Sequence, residues 1–263
     1  MKSASLVLIF GSWFAALDPN NNGCGAAAGT NEGNGAIAPD PAAPATPIDT
    51  TGVTLVECGA LGKHAFCDDF SGAMPGKFDT QDVSSGIVAF ENGALVASTQ
   101  KPSSGTRTIA YLKKPVALEG ERFSLSWVET VDDVSYLGKN GTNTNGLTLG
   151  DNKFYVALGH GSNGDTITET SLVSGLYIQV HQIQTPIPHG RPVKITMDVD
   201  LDAATVSLSV DGATVMDREP LKYAPKAPQK PTVSAGVLVD NLFGPEPAKA
   251  TIDDVTLDVQ LAK

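Results

Sequence analysis

Three carboxylates lie close together in the segment WVETVDDV, which contains Glu129, Asp132 and Asp133. Hydrolysis of a glycosidic bond uses two carboxyl groups, one that donates a proton and one that attacks or activates water. A straight strand places Glu129 and Asp132 on opposite faces, because they are an odd number of positions apart. Predicted core residues share the face of Glu129: Phe123, Leu125 and Trp127. The segment does not predict a catalytic pair, and we assign no catalytic residue.

The histidines show no recognisable pattern of metal ligands or nucleophile partners. The sequence lacks GxSxG, so no serine triad is indicated. His160 and His189 each adjoin a glycine in predicted loops, where we expect solvent exposure, and His181 falls in a predicted strand. Scattered histidines of this kind do not have the spacing typical of zinc ligands. We therefore predict no metal site from them.

A binding surface is the better prediction, and it falls in the segment Leu172–Ile183. The apolar residues expected to face the core there are Leu176, Ile178 and Val180. That assignment leaves Tyr177, Gln179 and His181 on the outer face of the sheet. An aromatic ring, an amide and an imidazole in a row can stack on a sugar and bond its hydroxyls. Tyr155 joins this glycan-binding set if its strand is the neighbour; an ordinary solvated face is the alternative.

The chain is organised around a predicted antiparallel hairpin in Arg191–Asp211. Two runs of alternating residues flank a turn at Leu201–Ala204, and their predicted buried members are Val193, Ile195, Met197, Val199, Val206, Leu208 and Val210. One hairpin cannot bury its apolar face alone, so another sheet must cover it.

Further strand-like runs follow one another between turn signals: Ala65–Phe70, Ile87–Phe90, Ala94–Ala97, Thr106–Leu112, Arg122–Thr130, Asn152–Leu158, Leu172–Ile183, Thr232–Val239 and Thr251–Val259. Asn92-Gly93 suits a type I′ hairpin turn, and the Gly- and Asn-rich segment Lys139–Thr148 is predicted to be a loop. No helix is predicted. The fold class is all-β, a two-sheet antiparallel β-sandwich.

Three segments resemble signatures of LamG-like, concanavalin A-like jelly-roll domains: CDDFSG, VSLSVDG and ATIDDVTLDV. The resemblance covers Val56–Leu261 and implies that the first and last strands lie side by side. Glycoside hydrolases of this fold have a Glu, an Asp two positions later and a second Glu, a pattern from which the residues after Glu129 depart. The whole chain resembles bacterial surface lipoproteins built from a signal, a tether and one such domain.

The strand pairing that the resemblance implies would bring four aspartates together: Asp68, Asp69, Asp253 and Asp254. The alternation breaks in the segment IDDV, which predicts a bulge there. Calcium takes several oxygen ligands, so a structural calcium ion is one hypothesis. Acidic residues that discourage edge-to-edge aggregation are the other.

Two cysteines, Cys58 and Cys67, enclose a short Gly-containing loop. In an exported chain this spacing favours a disulfide, which would stabilise the fold by roughly 2.5–3 kcal/mol. The absence of CxxC spacing makes a redox or metal role the weaker alternative.

The N-terminus has the pattern of a secretory signal: Met1-Lys2, then the short apolar core Ser5–Leu17. Cys24 stands where a bacterial lipoprotein carries its acylated cysteine, although the usual aliphatic residue three positions earlier is missing, so ordinary cleavage is the alternative. Residues 24–52 are Gly-, Ala- and Pro-rich and are predicted to be a disordered tether. We thus predict a signal at 1–23, the tether, and one domain at 53–263.

A formal net charge of −11 argues against a nucleic-acid partner. We predict an exported protein, anchored at the outer membrane or cell surface by lipid or otherwise secreted. Its predicted role is a binding or adhesion module for a polysaccharide or other glycan, with no cofactor other than the calcium considered above. The alternatives are a divergent glycoside hydrolase or polysaccharide lyase of the same fold, and a structural or protein-interaction domain.

Overall fold

The structure is a computed structural model that describes residues 47–74, 76–84, 86–99, 107–131, 142–151, 153–161, 163–173, 175–240 and 248–262. The predicted signal, Cys24, most of the predicted tether and Asp132 and Asp133 lie outside these ranges. Within them the chain forms seventeen strands and one short 3-10 turn, Gly59–Leu61. No helix in these ranges is long and apolar enough to cross a bilayer.

The strands in chain order are β1 (Val56–Glu57), β2 (Lys63–His64), β3 (Phe66–Asp68), β4 (Thr80–Ser84), β5 (Gly86–Glu91), β6 (Ala94–Thr99), β7 (Arg107–Pro115), β8 (Gly120–Val131), β9 (Thr142–Leu149), β10 (Phe154–His160), β11 (Thr166–Ser171), β12 (Tyr177–Gln182), β13 (Val193–Asp200), β14 (Thr205–Val210), β15 (Ala213–Pro220), β16 (Pro231–Asp240) and β17 (Lys249–Leu261).

Two antiparallel sheets contain nearly all of these strands. The front sheet has the spatial order β12-β11-β10-β9-β16-β7-β4. The back sheet has the order β15-β14-β13-β8-β17-β6-β5, with β3 added beside β17. Strands β1 and β2 form a separate ribbon. The fold is therefore the predicted two-sheet sandwich, and the segments predicted as its first and last strands do pair, as β3 and β17, through Val255 and Asp68.

The core lies between the sheets and follows the alternation of the strands. The predicted hairpin is confirmed as β13 and β14, and its seven predicted core residues are all buried. Phe123, Leu125 and Trp127 of β8 are completely buried, as predicted. From the front sheet, Phe154 and Leu147 pack into the same cluster. Period-two alternation thus assigns one face of each central strand to the core.

Local turn signals are also confirmed. Asn92 and Gly93 both have positive φ angles, of 53° and 78°, between the paired strands β5 and β6. The register of β17 shifts after Asp253, and Asp254 has a positive φ of 52°, so the predicted bulge is present. Cys58 and Cys67 form the predicted disulfide, with their Cα atoms 6.0 Å apart.

Two predictions about the front sheet are wrong. Lys139–Thr148 is not a loop from its fourth residue onward, because Thr142–Leu149 forms β9 and pairs with β10 and β16. The predicted strand Leu172–Ile183 is shorter, because only Tyr177–Gln182 forms β12. It pairs with β11, a strand that the sequence pattern does not predict. Gly and Asn have weak strand propensity, but ladders on both sides of β9 override it.

Candidate functional site

A groove of about 920 Å³ crosses the outer face of the front sheet. Residues that pair across the sheet point to the same side, so each row of partners contributes one band of the groove. One band consists of Thr232, Thr148, Tyr155, Thr170 and Ile178, from β16 to β12. Hydroxyl groups therefore dominate the floor, and apolar side chains enter from β12.

The adjacent band is formed by small residues near the middle of the sheet. Lys113, Ser234, Gly146, Ala157 and Thr168 pair successively from β7 to β11. The small side chains at the centre of this band leave room above the sheet, and the larger Tyr155 rises beside it. This contrast in side-chain size produces the groove.

Two tyrosines meet across the groove. The hydroxyl oxygens of Tyr111 on β7 and Tyr155 on β10 are 2.8 Å apart, so one donates a hydrogen bond to the other. On the same face, Nζ of Lys113 donates to the carboxylate of Asp82 at 2.6 Å. These side chains place an aromatic pair and an ion pair along the same lining.

The structure corrects the predicted faces of β12. Ile178 and Val180 are 52% and 53% exposed and line the groove, whereas His181 is buried. Tyr177 pairs through Ser171 with buried Phe154, so Tyr177, Gln179 and His181 lie on the face opposite to Tyr155. Alternation shows that a strand has two faces but does not show which of them is covered.

Polar groups explain why the inward face of β12 accepts His181. Nε2 of His181 is 3.2 Å from the buried carboxylate of Glu169, and Nδ1 is 3.1 Å from Glu219. Glu169 also accepts the backbone N–H groups of Lys222 and Tyr223. The ring of Tyr177 lies against that of Tyr223, with centroids 5.4 Å apart. Tyr155 is therefore the predicted glycan-binding residue that the groove contains.

A second group of polar residues lies at one end of the sandwich, between the sheets. Nε2 of His160 is 3.0 Å from Oε1 of Glu129, and Nδ1 of His160 is 2.8 Å from Oδ1 of Asp165. Nε2 of His189 is 3.1 Å from the same Asp165 oxygen. Glu129, His160 and Asp165 are buried and His189 is half-buried. We call these four residues the histidine cluster.

A bulge in β9 supplies the donors that hold Glu129. Gly146 pairs with Ala157 and Asn143 with Gly159, so β9 has one residue more than β10 in this stretch. Such a bulge redirects side chains. Thr144 and Asn145 both bond to Oε2 of Glu129, at 3.0 and 3.2 Å.

Trp127, two residues before Glu129 on β8, adds a third donor to the same oxygen, from Nε1 at 2.8 Å. The carboxylate is therefore satisfied although it is buried.

The charged groups of the histidine cluster shift one another's pKa values. Burial alone would lower the pKa of His160, but the Glu129 carboxylate and the bonds to Asp165 and Glu129 raise it to about 9. Burial would raise the pKa of Glu129 and of Asp165, and their contacts with His160 outweigh it and lower both. The two carboxylates thus favour the protonated form of His160.

The prediction of a solvent-exposed loop residue is wrong for His160, which is buried at the end of a strand, whereas His189 does lie in a loop but is half-buried. His160 ends β10, and the loop that follows β12 brings His189 to it, held by the bond from Gly190 N–H to the carbonyl of Val131. A glycine neighbour indicated a loop but carried no information on what the loop packs against. The alternation that placed Glu129 on the face of Trp127 was the one sequence signal for this cluster.

The four aspartates considered for calcium lie near one another. Burial, followed by the neighbouring charges of Asp254, Asp69 and Asp68, raises the pKa of Asp253. Asp68 is buried and accepts the backbone N–H groups of Phe70 and Lys77. Two of its lone pairs are therefore already used, one on each oxygen, and a calcium ion here stays a prediction.

No protein-family model matches the sequence, and a search of curated proteins finds no relative. Among solved structures, the chain is similar to an endo-β-1,4-glucuronan lyase from the fungus Trichoderma reesei, with TM-score 0.57 and 12% identity over 75% of this chain and 96% of the lyase. It is also similar to the cellulose-induced protein Cip1, with TM-score 0.51 and 11% identity over 75% and 98%.

A carbohydrate-binding module from Bacillus subtilis aligns with 69% of this chain and 97% of the module, at 14% identity and TM-score 0.45. At such low identity, the likeness to the lyase and to Cip1 establishes a shared jelly-roll sandwich fold. The ligand has to be argued from the residues of this chain.

Proposed function

We propose that the protein binds a polysaccharide chain in the groove of the front sheet. The observation that carries the proposal is the composition of the groove, where threonine and serine hydroxyls lie beside Tyr155 on the floor and exposed Ile178 and Val180 enter from β12. A sugar ring has apolar C–H faces and a rim of hydroxyls. Aromatic and aliphatic side chains match the faces, and hydroxyl side chains match the rim.

The charge of the lining supports a neutral or weakly acidic glycan. Lys113 is the one lysine or arginine among the described lining residues, and Asp82 pairs with it at 2.6 Å. A densely charged polyanion would need more cations than the described lining offers. The glucuronan lyase shares the sandwich architecture and, by its name, acts on a glycan.

The test is a glycan-array screen of the full chain, followed by calorimetry with the best ligand. Tyr155→Ala should weaken binding at least about tenfold, because it removes a ring from the groove. Tyr177→Ala is the matched control, since Tyr177 lies on the other face of the sheet and should leave affinity unchanged. Loss of binding in the control alone, or no glycan ligand for the folded protein, would contradict the proposal.

A second candidate is a polysaccharide lyase, favoured by the Tyr111–Tyr155 hydroxyl pair in the same lining as Lys113. A lyase removes the ring proton beside the uronate carboxylate, and this step needs a base. Negative charge then develops on that carboxylate, and a cation stabilises it. Incubation with polyglucuronate or alginate, read by the ultraviolet absorbance of the unsaturated product, tests this. Activity lost in Lys113→Met would support a lyase, whereas binding without product supports the binding module.

We also propose that the protein is exported and held at the cell surface through Cys24. The signal pattern at the N-terminus and the disulfide between Cys58 and Cys67 support export, because disulfides persist in oxidising compartments. Cys24→Ser should release the protein from membranes into the medium. Equal membrane retention of the two proteins would contradict lipid anchoring.

A further inference from the structure

Three ligand-type atoms converge within the histidine cluster: Nδ1 of His160, Nε2 of His189 and Oδ1 of Asp165. The two ring nitrogens are 3.3 Å apart, and each lies 2.8 to 3.1 Å from the carboxylate oxygen. Each atom therefore faces both of the others. Three donor atoms directed at one point are the arrangement of ligands around a cation.

The distances suit a transition metal of small radius. Zn²⁺ binds histidine nitrogen and carboxylate oxygen at about 2.0–2.2 Å, with tetrahedral geometry. Two ligands of such a tetrahedron are about 3.3 Å apart. The distances of 3.3, 3.1 and 2.8 Å are at this value or a few tenths of an ångström below it. A displacement of about 0.5 Å at most would open the set for the ion.

Contacts outside these three atoms orient the ligands. Nε2 of His160 donates to Oε1 of Glu129 at 3.0 Å, so Nδ1 is the ring nitrogen directed at Asp165, and a metal bound there would replace the proton on Nδ1. Oδ2 of Asp165 accepts the N–H of Ile187 at 2.8 Å, which leaves Oδ1 for the ion. A histidine held from behind by a carboxylate is a recurring support of metal ligands. The three donors to Glu129 fix that carboxylate in turn.

We propose that His160, Asp165 and His189 bind one Zn²⁺ ion per chain, with a water molecule as the fourth ligand. The side chain of His189 is 22% exposed, so the cluster reaches solvent on that side. Three protein ligands and one exchangeable position are the set found where zinc polarises a bound molecule. His160 and Gly161 also border the groove, so the cluster lies at the end of the strand that carries Tyr155.

The experiment uses the full chain, freed of metal with a chelator and titrated with Zn²⁺ in a competition assay. We expect one ion per chain and, with Co²⁺ in its place, the visible absorption of a four-coordinate site. His189→Ala should weaken binding at least about a hundredfold, and Glu129→Gln about ten- to a hundredfold through His160. His64→Ala is the control, because His64 bonds Asp258 elsewhere in the fold.

Circular dichroism of each protein, with and without metal, shows whether it is folded. His189→Gln is a second variant in case His189→Ala does not fold. Absence of stoichiometric Zn²⁺ binding by the folded wild-type protein would overturn the proposal, as would unchanged affinity in a folded His189 variant. These readouts do not involve glycan, so they are independent of the proposed binding function.

Discussion

Two buried histidines of this protein each lie between two carboxylates, yet the surroundings of the two clusters differ. The partners of His160 are Glu129 and Asp165, both almost fully buried. The partners of His181 are buried Glu169 and Glu219, whose side chain is 43% exposed. A second histidine joins the first cluster, whereas backbone N–H groups complete the second.

This difference indicates two roles for the same pairing. Around His181, Glu169 fixes the segment that contains Lys222 and Tyr223 against the inner side of β11 and β12. Around His160, two ring nitrogens and one carboxylate oxygen are directed at each other. Bonds to backbone N–H groups use up the lone pairs of a carboxylate and stabilise the fold. Converging side-chain donor atoms can instead bind one common ligand.

The largest expected effect is that of Glu129→Ala. It removes one counter-charge of buried His160 and leaves the donors on Trp127, Thr144 and Asn145 without their acceptor. We expect the free energy of unfolding to fall by about 3–5 kcal/mol, measured by urea denaturation. Glu121→Ala, on the same strand, is the control. If Glu129→Ala lost no more stability than the control, the contacts of Glu129 with His160 and the three donors would not stabilise the fold as we expect.

Glu169→Ala should have an intermediate effect, about 2–3 kcal/mol. The variant loses the acceptor of His181, but water can reach the N–H groups of Lys222 and Tyr223, because Lys222 is exposed and Tyr223 is half-buried. Hydrogen exchange should also accelerate at these two amides. Unchanged exchange there would contradict the role we assign to Glu169.

The smallest effect is expected for Glu219→Ala, below about 1 kcal/mol, because a half-exposed partner adds little to an ion pair. Exposed Asp217 on the same strand provides the matched control as Asp217→Ala. Thermal unfolding followed by circular dichroism is sufficient to compare them. A loss as large as that of Glu169→Ala would remove the distinction between the two carboxylates of His181.

The strands with strict alternation could be predicted from the sequence, and the segments that break it could not. In β13 and β14 one face is apolar at every position, and the sheet buries that face. In β12 the apolar residues Ile178 and Val180 face the groove, because His181 on the other side finds two carboxylates from other strands. A ligand surface can be as apolar as a core, so the residue types alone do not distinguish them.

The candidate sites depended still more on pairing between distant segments. Tyr155 was predicted correctly as an outward residue because its own strand alternates clearly. The partners of His160 come from β8, from the loop before β11 and from the loop after β12. Nothing local to any one of these segments indicates the others.

The sequence by itself determined the all-β class, the central hairpin, the Asn92-Gly93 turn, the disulfide and the bulge in β17, since each depends on neighbours along the chain. Only the tertiary structure decided which face of β12 meets the groove and which residues meet His160. Those outcomes depend on strand order and on a bulge in β9, which bring together residues that are far apart in the chain.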